Sequence, residues 1–80
     1  MPRWRRHQVE HALRADDARR HPTVWIEIGV YNSRTSAQGA GRRIRVAHLR
    51  HYAPAGTFET RTAPTDYGHA LYARYVGETR

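Results

Sequence analysis

The segment "HQVEH" at residues 7–11 carries the residue types in this chain that are best suited to metal chemistry. On a helix, His7 and His11 lie four residues apart and share one face. The pattern H-x-x-E-H can hold zinc between its two histidines, while the glutamate activates a water molecule. Flanking positive charge would repel a dication, and it comes from Arg5, Arg6 and Arg14.

The alternative for this segment is a solvated helix face on which Glu10 pairs with Arg14 four residues later. A zinc hydrolase that uses His7, Glu10 and His11 is therefore our third hypothesis for function. We expect a protein that is not an enzyme and that needs no metal and no cofactor.

Charge is the strongest global signal. The chain has 80 residues, a formal net charge of +7 and an isoelectric point of about 11.0. The chain has 14 arginines and no lysine. It also has no cysteine, which excludes disulfides and thiolate metal sites. The arginine bias is explained by a GC-rich genome or by contact with phosphate, which guanidinium binds in a bidentate manner. A domain this basic favours a polyanionic partner, usually nucleic acid.

Basic residues cluster in "GRRIRVAHLRH" at residues 41–51. On a helix, Arg42, Arg43 and Arg45 point away from the apolar side and form a basic ridge, which Arg50 and two histidines, His48 and His51, follow. Such a ridge can contact a phosphate backbone or enter a major groove. The alternative is a solvated face in an arginine-rich chain.

Aromatic and basic residues also alternate on one face of the predicted sheet. They are Trp25, Tyr31, Arg61, Tyr72 and Arg74. An exposed face of this kind can stack bases and hold phosphates, as in single-strand binders. Alternatively, the N-terminal helix covers the face, and Trp25 packs against Val9, Leu13 or Trp4.

Residues 1–22 predict a basic N-terminal helix or arm, helical from about Trp4 to Arg20 and ended by Pro22. Its arginines Arg3, Arg5 and Arg6 are further candidates for phosphate contact. Residues 23–31 alternate apolar and polar side chains and predict a strand. A helix over about 34–45 follows, although "RIRVAHL" also fits a strand.

Two further strands are predicted at 57–62 and 69–76, joined through "APTDYG" as a β-hairpin. The sequence therefore predicts an α+β fold in which residues 23–80 form a βαββ domain with a three-stranded sheet and one helix packed on a face. The crossover is expected to be right-handed. The predicted core consists of Val24, Ile26, Ile28, Val30, Ala37, Ala40, Ile44, Phe58, Leu71 and either Tyr75 or Val76.

Two resemblances add to this interpretation. "VWIEIGVYNSRTSAQGAGRRIR" resembles the opening strand and helix of a SPOR domain, a family that binds peptidoglycan glycan strands, through Gly29, Tyr31, Ser33, Ala37 and Ala40. "RWRRHQVEHALRADDARRHP", "APAGTFETR" and "LYARYVG" resemble small uncharacterised proteins of actinobacteria, their phages and their integrative elements. The second resemblance implies an origin rather than an activity.

We therefore expect a small basic nucleic-acid-binding accessory or regulatory protein, from a phage or mobile element. The alternative is a protein-interaction module, such as a phage-type inhibitor that binds a protein partner. No apolar run approaches the roughly 20 residues of a membrane span, and the N-terminus lacks the apolar region of a secretory signal, so we expect a cytoplasmic protein without a membrane partner. Dimerisation would add stability, because a domain of this size buries only about 60% of its unfolded surface.

Overall fold

The computed structural model describes residues 10–77, which form two helices and a three-stranded antiparallel sheet. The α+β class and the order of elements are those that the sequence predicts. In chain order the elements are α1 (His11–Arg20), β1 (Ile26–Tyr31), α2 (Arg34–Arg45), a short 3-10 turn (Arg50–Tyr52), β2 (Phe58–Thr65) and β3 (Gly68–Tyr75). No helix in the described part of the chain is long and apolar enough to cross a membrane.

The strand order is β1-β3-β2, and both neighbouring pairs are antiparallel. The central strand is therefore the last one in sequence, while β1 and β2 lie at the two edges and run parallel to each other. Helix α2 connects these two edge strands. As a consequence, its flank lies next to edge strand β2, and Arg45 reaches Thr60 of that strand.

The hairpin turn is shorter than the sequence predicts. Residues 63–65 and Gly68 belong to the strands, so that only Asp66 and Tyr67 form the turn. Pro64 is accommodated because β2 is an edge strand, where a missing N–H costs no interior hydrogen bond. Gly68 has a φ of +149°, and a Cβ atom there would overlap the carbonyl oxygen of Tyr31.

Strand β1 contains a bulge that changes the face on which its last two residues, Val30 and Tyr31, lie. Glu27 lies opposite Tyr72, but Gly29 lies opposite Leu71, so Ile28 is an extra residue in the ladder. A bulge reverses the inward and outward alternation of the residues that follow it.

Ile28 is consequently buried and Val30 is 44% exposed, whereas Tyr31 packs against the core. The predictions of a buried Val30 and an outward Tyr31 were therefore wrong. Val24 was also wrongly placed in the core: it is 50% exposed, because the strand begins at Ile26 rather than at residue 23.

Helix α2 has the predicted bounds, and the competing strand interpretation of its last turn was wrong. Ser33 caps it, because its hydroxyl accepts a hydrogen bond of 3.1 Å from the Ser36 N–H. The buried side consists of small residues and one isoleucine, namely Ala37, Ala40, Gly41 and Ile44. These small side chains let the helix lie close to β2 and β3.

Helix α1 packs on the same face of the sheet as α2. Its two buried residues, Ala15 and Ala18, lie in one cluster with Ile28, Ile44 and Phe58. The cluster also contains Ala40, Tyr52, Leu71 and Ala73. Both described helices therefore cover one face of the sheet and leave the other face without a helix.

Candidate nucleic-acid interface

The predicted basic ridge lies on the solvent side of α2. Ile44 is fully buried, whereas Arg42, Arg43 and Arg45 are exposed, as the helical periodicity requires. The His48 and Arg50 side chains are exposed in the segment that follows the helix. The structure thus exposes all five of these basic residues on the last turns of α2 and on the segment that follows the helix.

Arg45 differs from its neighbours because it turns toward the sheet. Its Nη1 atom donates a hydrogen bond of 2.6 Å to the Thr60 hydroxyl on edge strand β2. A groove lies at this point, lined by Gln38, Gly41, Arg45, Thr60, Arg61 and Thr62. Arg45 of helix α2 and the edge-strand residues Thr60 and Thr62, which are distant in sequence, therefore line one groove at the edge of the sheet.

Acidic residues are distributed very unevenly around these arginines. No Asp or Glu occurs between Glu27 and Glu59, so the charge of α2 is not compensated within its own segment. Helix α1 is different, because three arginines are balanced there by Glu10, Asp16 and Asp17, and Asp16 pairs with Arg20 at 3.0 Å. The positive field of the described residues is therefore concentrated on α2 and the edge of β2 rather than spread over the surface.

The open sheet face carries Trp25, Glu59, Arg61, Tyr72 and Arg74. These residues are on the opposite side of the sheet from the core residues Phe58, Leu71 and Ala73. Among residues 10–77, neither helix packs on this face: α1 contributes its two buried alanines to the opposite face, and Leu13, one expected partner of Trp25, is 67% exposed. The other expected partners, Trp4 and Val9, lie outside the described residues.

Cation-π contacts organise this open sheet face. The Arg74 guanidinium carbon lies 4.6 Å from the centre of the Trp25 ring, and that of Arg61 lies 5.4 Å from Trp25 and 5.8 Å from Tyr72. Arg74 is also paired with Glu59, since its Nη2 and Nε atoms lie 2.6 and 2.7 Å from one carboxylate oxygen. Each of the two rings therefore already has a guanidinium group within cation-π distance.

Arg61 and Arg74 thus differ in their surroundings. The charge of Arg74 is compensated locally by its carboxylate partner, whereas the exposed Arg61 places its guanidinium over the Trp25 and Tyr72 rings. The donors of Arg61 are available to an anion. Tyr31, which was expected on this face, lies on the other side of the sheet because of the bulge in β1.

His11, the second histidine of the "HQVEH" motif, has a structural role. His11 Nδ1 and the hydroxyl of the buried Tyr52 form a hydrogen bond of 2.8 Å, and the two rings meet edge to face. Burial lowers the pKa of His11, and the positive charges of His51 and Arg43 lower that pKa further.

Burial also raises the pKa of Tyr52 well above its usual range, and it raises the pKa of Tyr31 against the opposing effect of Arg43. His7 lies outside the described residues. Within residues 10–77, no group of three His, Asp or Glu side chains is placed to hold a metal ion.

Sequence reasoning missed the two buried alanines of α1 and Tyr52, which is the largest fully buried side chain among residues 10–77. The spacing of Ala15 and Ala18 is a helical signal that could have identified the buried side of α1. The N-terminal arginines Arg3, Arg5 and Arg6 lie outside the described residues.

Comparison of the chain with protein-family models, with curated proteins and with solved structures found no match. The resemblances to SPOR domains and to small actinobacterial proteins therefore stay predictions.

Proposed function

We propose that this chain is a small, non-enzymatic nucleic-acid-binding protein that acts as an accessory or regulatory factor of a phage or mobile element. The observation that carries the proposal is the exposed positive surface of α2, which lies in a segment without an acidic residue between Glu27 and Glu59, together with the groove that Arg45 lines beside β2. Guanidinium groups without carboxylate partners bind phosphate oxygens through charge-assisted hydrogen bonds. A nucleic-acid partner would also fit the cytoplasmic location that we expect.

The residues of the site have different roles in this proposal. Arg42 and Arg43 contact phosphates from the exposed side of α2, and His48 and Arg50 extend that surface past the end of the helix. On the open sheet face, Trp25 holds the planes of two guanidinium groups. Because these contacts occupy the ring, Trp25 acts by orienting arginines rather than as a free platform for bases.

The test is a binding titration followed by fluorescence anisotropy, with labelled single-stranded and duplex DNA and RNA at low salt. The informative variant is R42Q/R43Q, and its matched control is R14Q/R20Q, which removes two charges from the balanced surface of α1. Arg19 is left unchanged because it donates a hydrogen bond to the carbonyl of Ala53 and stacks on Phe58. We expect R42Q/R43Q to weaken binding several-fold and the control to remain within about twofold of the wild type.

No binding of the wild-type protein to any of the four nucleic acids at low salt would overturn the proposal. Co-purification with one protein partner, unaffected by nuclease, would then favour the alternative of a protein-interaction module. Equal weakening by both double variants would show that only net charge matters and that α2 is not the interface.

A further inference from the structure

The groove beside Arg45 continues along the whole length of α2. A second hollow is lined by Arg34, Thr62, Pro64 and His69, and Thr62 also lines the first groove. The two hollows therefore meet at Thr62 and form one trough between α2 and edge strand β2. We use "trough" for these two hollows together.

The helix side of the trough is a single stripe of residues. It consists of Arg34, Gln38, Gly41 and Arg45, which are separated by four, three and four positions and so lie on one side of the helix. Because a helix rises about 1.5 Å per residue, the trough is about 16 Å long. It has an arginine at each end and is long enough for more than one phosphate.

The lining of the trough suits a phosphodiester. Arg45 is held in position by its hydrogen bond to Thr60, and Arg34 lies at the other end of the trough. The hydroxyls of Thr60 and Thr62 add neutral hydrogen-bonding groups, and no Asp or Glu among residues 10–77 lines either hollow. A Cβ atom on Gly41 would lie 3.1 Å from the Thr60 hydroxyl, so glycine keeps the floor of the trough clear.

The position of the trough favours a single strand over a duplex. It lies between a helix and the exposed edge of a sheet, and the open sheet face with Trp25 and Tyr72 begins on the other side of β2. A basic groove with aromatic groups beside it is the arrangement by which proteins bind single-stranded nucleic acid. We propose that this trough binds the sugar-phosphate backbone of a single-stranded nucleic acid, an inference that rests on the proposed function and specifies its site.

The experiment compares the double variant R34Q/R45Q with R42Q/R43Q and R14Q/R20Q in the full chain, using a labelled 15-nucleotide oligothymidylate. The expected result is a loss of about tenfold in affinity for R34Q/R45Q, with a smaller loss for R42Q/R43Q and a change within about twofold for R14Q/R20Q. A duplex of the same length should bind more weakly than the single strand. Thermal unfolding of each variant checks that the fold is intact, and R34K/R45K, which keeps the charges, should retain most of the binding if R34Q/R45Q does not fold.

Two results would overturn the proposal that the trough is the binding site while leaving the proposed function in place. One is that R42Q/R43Q or R14Q/R20Q weakens binding as much as R34Q/R45Q does. The other is that the duplex binds more tightly than the single strand and is unaffected by R34Q/R45Q.

Titration of the wild-type protein with inorganic phosphate tests whether the trough binds a free phosphate group instead of a nucleic acid. The titration is followed through the amide NMR signals of Gly41, Thr60 and Thr62. Shifts of these signals with phosphate, together with no binding of any nucleic acid, would overturn both proposals and identify a site for a free phosphate group. Phosphate shifts at the trough together with oligothymidylate binding support the trough.

Discussion

Replacement of each of two helical glycines by alanine tests how closely α2 lies on the sheet. Gly39 and Gly41 are two residues apart in the same helix, so alanine brings the same gain in helix propensity at both positions, about 1 kcal/mol. Their surroundings differ. A Cβ atom on Gly39 would meet only the end of the Arg43 side chain, at 4.0 Å.

A Cβ atom on Gly41 would meet the sheet. It would lie 3.1 Å from the Thr60 hydroxyl and 3.3 Å from Cδ1 of the fully buried Leu71. Overpacking of this kind costs typically about 1–3 kcal/mol, which cancels or exceeds the propensity gain. We therefore expect Gly39→Ala to stabilise the protein by about 0.5–1 kcal/mol and Gly41→Ala to be neutral or destabilising by up to about 2 kcal/mol.

Urea denaturation measures the two free energies of unfolding, and each variant serves as the control of the other. For a domain of this size, a change of 1 kcal/mol corresponds to a shift of about 4–8 °C in Tm, which thermal unfolding resolves. A Gly41→Ala variant that is as stable as Gly39→Ala, or more stable, would refute the close packing of α2 on β2 and β3.

Two other predictions concern the core and its pH dependence. Leu71→Ala should lower the free energy of unfolding by about 2–5 kcal/mol, while Val30→Ala should lower it by less than about 1 kcal/mol, because the bulge turns Val30 to solvent. Equal costs in urea denaturation would contradict the bulge. Since the folded pKa of His11 is below its unfolded value, the stability that this histidine contributes is present above about pH 6.5 and is lost as the pH falls through the folded pKa. His11→Gln should therefore flatten the fall in stability between pH 7 and pH 5, and a slope as steep as that of the wild type would contradict the assignment.

Helix α2 was predictable in its approximate bounds because its cap and its apolar periodicity agree, although "RIRVAHL" also fitted a strand. Ser33 is a favourable cap, and the apolar positions recur at helical spacing up to Ile44. The exposure of Arg42 and Arg43 follows directly from that periodicity. The predicted ridge was therefore a local property of the sequence.

The inward and outward alternation of β1 could not be carried through the whole strand. Period-two patterning places Ile26, Ile28 and Val30 on one face. The bulge at Ile28 reverses the faces of the two residues at the end of the strand, Val30 and Tyr31. The glycine at position 29 is a known sign of a bulge within a strand and was the one available warning.

The trough was not predictable from local sequence, because it depends on which strands are neighbours. Arg45 reaches Thr60 because β3 occupies the centre of the sheet and leaves β2 at the edge beside α2. The buried side of α1 gave only a weak local signal, the spacing of Ala15 and Ala18, because it is made of alanines rather than large apolar residues.

The most direct test of the account is the salt dependence of nucleic-acid binding by the wild type and by R42Q/R43Q, with R14Q/R20Q as the control. Each phosphate contact contributes a slope of about −0.7 to a plot of log K against log salt for a single strand. We predict that affinity falls with salt and that R42Q/R43Q makes the slope shallower by up to about 1.4, while R14Q/R20Q leaves it unchanged. An affinity that does not depend on salt, or the same slope for all three proteins, would contradict the claim that the arginines of α2 bind phosphate.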